Sequence, residues 1–170
     1  MRLVVVRHGP SEPRDPVRWV DDDRRPLTRD GRKTTRGAAD GLAILEPNLR
    51  TLLTSPATRA RSTAEILRER LGAPKAAEWA ELAPEAPAAP LLERLARHHE
   101  PKGTVAVVGH EPQMGELIGL SLTGEAVSIT RLSKAGAAAI SFPKAVRAGA
   151  GTLDWRLDRR ALARLGDSRD

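Results

Sequence analysis

Arginine and histidine residues follow two apolar stretches that lie far apart in the chain. Arg7 and His8 come directly after the run Leu3–Val6, and His110 follows the run Thr104–Val108 one residue later. Such runs are typical of buried parallel strands, whose carboxyl ends bind ligands in α/β folds. Because a guanidinium binds phosphate bidentately and an imidazole nitrogen can act as a nucleophile, this pattern predicts a phosphoryl-transfer site.

A third segment adds a second arginine to this predicted site. Leu52–Thr54 predicts a short strand, and the helix after it is predicted to begin with Ser55 as N-cap and Pro56 as its first residue. Arg59 would then lie in the first turn, where free backbone N–H groups and the positive end of the helix dipole favour bound phosphate. Neither a Walker loop nor a GxGxxG motif is present.

The chain alternates between predicted strands and helices throughout its length. Besides the segments above, helices are predicted after Thr28, up to Gly72, through Leu92–Ala96, through Met114–Leu122 and over Arg159–Leu165, and strands near Lys75–Trp79 and over Ala137–Phe142 and Thr152–Leu157. This alternation predicts a three-layer α/β/α sandwich with a mostly parallel central sheet. We expect one domain over residues 1–165 and a frayed tail over 166–170.

Two smaller segments also carry expectations. The proline-rich Ala83–Pro90 is expected to form a loop over the site. His98 and His99, which end a predicted helix, are expected to be exposed, where a partial positive charge favours the helix dipole.

Composition restricts the classes to which this protein can belong. The 170 residues include no cysteine, which excludes disulfides and thiolate metal sites and fits a reducing compartment. No segment approaches the roughly 20 apolar residues of a membrane span, and Met1–Val6 is too short for a secretory signal. We therefore expect a cytoplasmic protein that does not bind membranes.

The net charge of +6 raises the question of nucleic-acid binding. Basic residues are interspersed with acidic ones, as in Asp21–Arg25, and aromatic residues that could stack on bases make up only 2% of the chain. Nucleic acid is therefore not expected as a partner, and the positive field would instead attract a phosphorylated substrate.

Three motifs taken together resemble the signature of the histidine phosphatase superfamily, the phosphoglycerate mutase-like proteins. They are Arg7-His8-Gly9, Ser55-Pro56-Ala57-Thr58-Arg59 and Gly109-His110. The resemblance covers nearly the whole chain and implies a phosphoglycerate mutase-like fold. The short length, Asp22–Thr28 with Gly31, and Gly151–Leu157 resemble the SixA-type phosphohistidine phosphatases within that superfamily.

The resemblance and the residue chemistry together predict a phosphatase that forms a transient phosphohistidine. Arg7 and Arg59 would clamp the phosphoryl oxygens, while His8 attacks phosphorus. His110 would donate a hydrogen bond to a phosphoryl oxygen, and water would then release phosphate. No metal or other cofactor is expected.

The roles of three further residues stay open. Arg25 either binds substrate or pairs with Asp21 or Asp22. The candidates for proton donor to the leaving group are Glu81, in the region where larger superfamily members carry an acid, and Asp22 in the first loop. An imidazole leaving group needs less protonation than an alkoxide, so a site without a placed acid favours phosphoramidates.

Several functions remain open on the sequence alone. The expected substrate is a protein that carries phosphohistidine. The alternative enzyme is a phosphatase of small phosphoesters, such as sugar phosphates or nucleotides, whereas a mutase is disfavoured because the chain lacks that branch's longer insertions. A non-catalytic module that binds phosphate or phosphoproteins is a third candidate, against which the complete set of two arginines and two histidines argues.

Overall fold

The structure is a computed structural model, and it describes residues 1–98 and 103–168. Six strands and five α-helices occur in this part of the chain: β1 (Arg2–Arg7), α1 (Arg29–Leu45), β2 (Leu49–Thr54), α2 (Thr58–Leu71), β3 (Ala77–Glu78), α3 (Ala88–Arg97), β4 (Thr104–Gly109), α4 (Gln113–Thr123), β5 (Ala137–Ser141), β6 (Thr152–Leu157) and α5 (Arg159–Asp167). Short 3-10 helices add Asp22–Arg24 and Ala80–Leu82.

The six strands form one sheet in the order β3-β2-β4-β1-β5-β6. The pairs β1–β4, β2–β4 and β2–β3 are parallel. β5 is antiparallel to β1, and β6 is antiparallel to β5. The chain returns to the carboxyl edge of the parallel strands through 124–136 without a helix, so β5 starts opposite Val6 and runs back toward Arg2. The predicted, mostly parallel α/β sheet is confirmed.

Residues alternate across both buried faces of the central strand β1. Leu3 and Val5 belong to the core beneath α3 and α4, while Val4 and Val6 belong to the core beneath α1, α2 and α5. All four are at most 3% exposed. Helices cover both faces of the sheet, which is why the strand is a continuous apolar run and not an alternating one. The predicted three-layer arrangement is confirmed.

The start of α1 matches the prediction and explains an unusual glycine. The Thr28 hydroxyl accepts a hydrogen bond from the N–H of Gly31 at 2.8 Å, so Thr28 is the N-cap. A capping box would place Glu or Gln at this third helical position. A Cβ on Gly31 would lie 2.0 Å from the carbonyl oxygen of Pro10, so the close approach of the first loop requires glycine there.

The start of α2 differs from the prediction by two residues. The helix begins at Thr58 with Ala57 as N-cap, and it ends at Gly72 with φ of 63°, as predicted. Ser55 and Pro56 precede the helix. The Ser55 hydroxyl lies 2.8 Å from the ring of His110. It also accepts a hydrogen bond from the N–H of Ala57 at 3.2 Å, which closes a turn before the helix, so Ser55 is not the N-cap.

Other boundaries also differ from the predictions. α5 continues to Asp167, two residues beyond its predicted end, and β3 is limited to Ala77–Glu78.

His98 is half-buried with its ring 5.8 Å from that of Trp79, so its predicted exposure is wrong. His99 and residues 169–170 lie outside the described residues. Within the ranges given above, no helix combines the length and the hydrophobicity that crossing a membrane requires.

Candidate active site

The ends of β1 and β4 bring the two predicted histidines together. These strands are neighbours, with Arg7 opposite Gly109, and the N–H of His8 donates to the carbonyl of Gly109 at 3.0 Å. The rings of His8 and His110 have centroids 5.0 Å apart. Both residues are buried, at 6% and 5% exposure. Parallel pairing of two buried strands is therefore what places the two imidazoles side by side.

The His8 ring has a defined tautomer. Its Nδ1 lies 2.7 Å from the carbonyl oxygen of Gly9. A carbonyl oxygen can only accept a hydrogen bond, so Nδ1 carries the proton and Nε2 keeps a free lone pair. Burial lowers the pKa of His8 to about 3, with smaller contributions from the positive charges of Arg59 and Arg7, so the ring is neutral at physiological pH.

Gly9 is held in a tight position that a larger residue could not occupy. Its N–H donates to the hydroxyl of Thr63 in α2 at 2.9 Å. A Cβ at this position would lie 2.1 Å from the hydroxyl oxygen of Thr35 in α1. Two helices therefore fix the peptide that orients His8.

The His110 ring is oriented by a serine from the turn before α2. Its Nε2 lies 2.8 Å from the hydroxyl oxygen of the fully buried Ser55. Burial lowers the pKa of His110 to about 2, and the neighbouring His8 and Arg59 contribute in the same direction. The sequence indicated Ser55 only as a helix cap, because the contact joins residues far apart in the chain.

Two buried arginines, Arg59 and Arg25, share one carboxylate. Nη1 of Arg59 donates to the main-chain carbonyl of Asp22 at 2.8 Å, and Nη2 lies 3.3 Å from the Asp22 carboxylate. Nε of Arg25 donates to the same carboxylate at 2.9 Å, and Nη1 of Arg25 donates to the hydroxyl of Ser11 at 2.8 Å. Arg25 thus pairs with Asp22, one of the two partners considered, and also faces the site.

Arg7 has a different environment. Its Nη1 donates to the main-chain carbonyl of Leu132 at 2.8 Å, and its Nε is buried without a hydrogen-bond partner in the described chain. None of the ion pairs within 4.0 Å in residues 1–98 and 103–168 includes Arg7. The guanidinium is therefore positioned by a neutral group. Burial lowers the pKa of Arg7, and the Glu111 carboxylate, which lies beyond 4.0 Å, acts in the opposite direction.

A cavity of about 480 Å³ opens over these side chains. It is lined by the four residues predicted to clamp or attack the phosphoryl group, Arg7, His8, Arg59 and His110, and by Arg25, whose role the sequence left open. The two cationic clamps and the two imidazoles therefore share a single space. An electropositive cavity of this kind suits a tetrahedral oxyanion.

The cavity also contains charged residues that the sequence reasoning missed. They are Glu12 and Arg14 from the first loop, Glu85, Glu111 and Lys134. Pro84 and Glu85 lie in the proline-rich segment that was predicted to cover the site. For Lys134 the sequence carried no signal, because it lies in a turn and not at a strand end or a helix start.

Neither predicted proton donor lines the cavity. The carboxylate of Glu81 bonds to Arg94, and hydrogen bonds from its own backbone N–H and from that arginine lower its pKa. The hydrogen bond from Arg25 lowers the pKa of Asp22. Both carboxylates are held ionised by arginines, so the geometry does not support the proton-donor role predicted for either residue.

Glu111 is the carboxylate most closely tied to the site. Its Oε1 accepts the N–H of Leu132 at 2.8 Å, while its Oε2 is buried without a hydrogen-bond partner in the described chain. Burial raises the pKa of Glu111, although the Leu132 N–H and Arg7 act in the opposite direction. Leu132 therefore lies between this carboxyl and Arg7, bonding one through its N–H and the other through its carbonyl.

The comparisons with known proteins agree with this geometry. Residues 3–83, which include Arg7, His8 and Arg59, match the model of the histidine phosphatase superfamily (branch 1). The chain belongs to the histidine phosphatase superfamily. A protein of Picosynechococcus sp. that is described as uncharacterized is 34% identical over 137 residues, which is 80% of this chain and 82% of that relative.

Solved structures extend the superfamily assignment to the whole fold. The protein histidine phosphatase SixA complexed with tungstate is 25% identical, with a TM-score of 0.82 over 95% of this chain and 99% of that one. A phosphoserine phosphatase from Entamoeba histolytica, solved with 3-phosphoglyceric acid, shares the fold with a TM-score of 0.67 at 14% identity, over 95% of this chain and 98% of the other. The superfamily match and the phosphatases among the solved structures together identify the chain as a hydrolase that acts on phosphate esters.

Proposed function

We propose that this histidine phosphatase removes phosphate from phosphohistidine in proteins, through a phosphohistidine intermediate on His8. The observation that carries this proposal is the His8 ring, whose Nδ1 is committed to Gly9 while Nε2 is a neutral nucleophile in a cavity with Arg7 and Arg59. A low pKa favours the free base at physiological pH, and only the free base can attack phosphorus.

The proposed reaction has two displacement steps. In the first, Nε2 of His8 forms a bond to phosphorus as the bond between phosphorus and the substrate imidazole breaks, and that imidazole then takes a proton from solvent. In the second, water attacks phosphorus and the bond to His8 breaks, which releases inorganic phosphate and neutral His8. Arg7 and Arg59 hold the equatorial oxygens in both steps. Neither step calls for a metal ion.

We propose that His110 supplies the neutral hydrogen-bond donor of the site. If the Ser55 hydroxyl donates to Nε2 of His110, then Nδ1 carries the proton and donates to a phosphoryl oxygen. His8 then presents a lone pair and His110 an N–H, although both rings are neutral. Each ring owes its role to one fixed contact, the carbonyl of Gly9 for the first and the hydroxyl of Ser55 for the second.

Two observations support a phosphorylated protein as the substrate. The structural similarity to the SixA phosphatase extends over nearly the whole length of both chains. In addition, Val17 and Val20 are 88% and 92% exposed in the first loop, whose Arg14 lines the cavity. Exposed apolar side chains on a loop that also lines the cavity are suited to contact with a protein surface.

The test compares substrates and variants. We expect the wild-type protein to hydrolyse a histidine-phosphorylated carrier protein faster, in kcat/KM, than sugar phosphates, nucleotides or p-nitrophenyl phosphate. His8→Ala should abolish turnover of every substrate, whereas the matched variant His98→Ala should not. Residual wild-type turnover in folded His8→Ala would refute the mechanism, and a faster rate on a metabolite would refute the substrate class.

Glu111 favours a second candidate, the phosphatase of small phosphoesters. A carboxyl with a raised pKa in the cavity can protonate an alkoxide leaving group, which an imidazole leaving group does not need. Under this candidate, Glu111→Gln lowers kcat for phosphoesters about 10²–10⁴-fold. Under the phosphohistidine proposal, the same variant keeps its turnover of phosphohistidine, so one variant assayed on both substrates distinguishes the two functions.

A further inference from the structure

We propose that Lys134 is a third cation that binds the phosphoryl group, beside Arg7 and Arg59; this inference rests on the proposed function. The half-buried side chain lines the same cavity as the two histidines. Within 4.0 Å it meets no carboxylate of residues 1–98 and 103–168, whereas Asp22 lies within that distance of Arg25 and Arg59. Its charge is therefore available to a ligand.

The turn that carries Lys134 is tied to the backbone of the nucleophile. The N–H of Ala135 is shared between the carbonyls of Arg7 and His8, each at 3.1 Å, and the N–H of Arg7 donates to the carbonyl of Gly136 at 3.1 Å. These bonds join the turn directly to the end of β1. The position of Lys134 is thus fixed relative to His8 by main-chain hydrogen bonds.

The same turn contains a strained residue. Ala135 has φ of 61°, in the left-handed region that residues with a Cβ rarely adopt, and it is 3% exposed. Strain of this kind persists where the surrounding structure enforces it, and it concentrates at functional sites. Here the hydrogen bonds from Ala135 to the carbonyls of Arg7 and His8 hold the strained conformation, and with it the turn that places Lys134 at the cavity.

Charges around Lys134 favour an anion in this space. Burial lowers the pKa of Lys134, and so do the positive charges of Arg7, Arg25 and Arg59, with Arg159 of α5 contributing from another side. Cations that are held together repel one another, and a bound phosphoryl group replaces this repulsion with attraction. The site is therefore arranged to gain most from a ligand with two negative charges.

The binding test uses tungstate, a tetrahedral oxyanion that reports on the pocket without turnover. Isothermal titration calorimetry should show weaker binding to Lys134→Gln by about tenfold or more, with most of the affinity kept in Lys134→Arg. Lys144→Gln, which removes an exposed lysine from the β5–β6 connection, is the control and should bind like wild type. Tungstate binding that is equal in Lys134→Gln and wild type would overturn the inference.

Turnover supplies a second readout. Loss of one charge-assisted contact to the phosphoryl group should lower kcat for p-nitrophenyl phosphate about 10²–10³-fold in Lys134→Gln. A wild-type protein that binds tungstate through Lys134 but hydrolyses nothing would refute the proposed function and leave this inference intact. Hydrolysis through His8 that is unaffected by Lys134→Gln would support the proposed function and overturn this inference.

The pH dependence tests the charge of Lys134 even if the glutamine variant does not fold. Since its pKa is lowered, activity that needs the ammonium group should fall as pH rises through that lowered value. Arginine stays charged, so Lys134→Arg should move this fall to higher pH. The other charged groups that line this cavity are Arg7, Arg14, Arg25 and Arg59 and the carboxylates of Glu12, Glu85 and Glu111. An alkaline limb that is identical in both proteins would overturn the inference.

Discussion

The two ends of strand β1 carry the same residue type in opposite electrostatic settings. At the first end, Nε of Arg2 donates to both carboxylate oxygens of Glu46, at 2.7 and 2.8 Å, and Nη1 bonds to Asp154. At the second end, Arg7 donates to the neutral carbonyl of Leu132 and pairs with no carboxylate in the described chain. Arg2 forms ion pairs with two carboxylates, whereas Arg7 has none within 4.0 Å in the described residues.

This contrast shows how a single strand serves two purposes. A matched charge at the amino end fastens the sheet to the end of α1 through the buried Glu46. An unmatched charge at the carboxyl end lowers the stability of the ligand-free folded protein, and it binds an oxyanion more strongly. Arginine in a sequence therefore indicates function only when its partner is known, and the partner is a property of the fold.

The largest expected effect is the loss of activity when the unmatched charge is removed. Arg7→Met should lower kcat for p-nitrophenyl phosphate about 10²–10³-fold, because a fixed donor to the developing charge is lost. Arg2→Met is the matched control and should keep wild-type kcat. Equal losses in the two variants would break the comparison, and steady-state assays of both proteins measure it.

A second prediction concerns stability at the site end of β1. The pKa values of His8 and His110 are lowered to about 3 and about 2, so below pH 6.5 the unfolded chain takes up protons that the folded one does not. The free energy of unfolding should therefore fall as pH falls, by about 2–3 kcal/mol for both rings between about pH 7.5 and about pH 5.5.

Urea unfolding at both pH values measures this loss. The double variant His8→Asn/His110→Asn should lack this part of the dependence, because asparagine does not titrate. If wild type and the double variant lose the same stability on acidification, the two rings are not neutral in the folded protein.

The third prediction concerns the amino end of the strand. Arg2→Met leaves the Glu46 carboxylate buried without its cation, which should lower the free energy of unfolding by about 1–3 kcal/mol. This value is below that of a fully buried pair because the Arg2 side chain is 31% exposed. Arg7→Met should cost less, since Arg7 has no carboxylate partner to leave unpaired. Urea denaturation of both variants tests this order, and the reverse order would contradict it.

The smallest effect is expected from Ser55→Ala. Loss of the contact with Nε2 should weaken the control of the His110 tautomer and lower kcat about tenfold, the equivalent of one hydrogen bond. The ¹⁵N chemical shifts of the His110 ring should change with it. Ser121→Ala is the matched control, because Ser121 is fully buried and its hydroxyl has no hydrogen-bond partner in the described chain. Unchanged ring shifts in Ser55→Ala would show that the serine does not set the tautomer.

The sequence was sufficient to predict the residues that strands deliver to the site. Continuous apolar runs identify buried parallel strands, and neighbouring parallel strands end at one edge, so His8 and His110 could be expected to meet. Arg59 followed from the helix start after β2, even though that helix begins later than predicted. The predicted sandwich and its mostly parallel sheet rest on the same periodicity.

Residues held by turns could not be predicted in this way. Lys134 reaches the cavity because Ala135 bonds to the end of β1, and no local pattern of residue types encodes that long-range contact. Glu111 was adjacent to a predicted histidine, but its carboxylate is held by the N–H of Leu132, which is distant in the chain. The antiparallel direction of β5 likewise depends on the connection over 124–136. This connection contains no helix, so no hydrophobic periodicity in the sequence predicts its course.

The central place of β1 in the sheet has a consequence for biosynthesis. β1 is made before both of its neighbours in the sheet, which are β4, beginning at Thr104, and β5, beginning at Ala137. Contacts this distant in the chain form slowly, because a long loop must close first. A nascent chain therefore holds the backbone of its nucleophile unpaired until β4 and β5 have been made, and dephosphorylation cannot start before then.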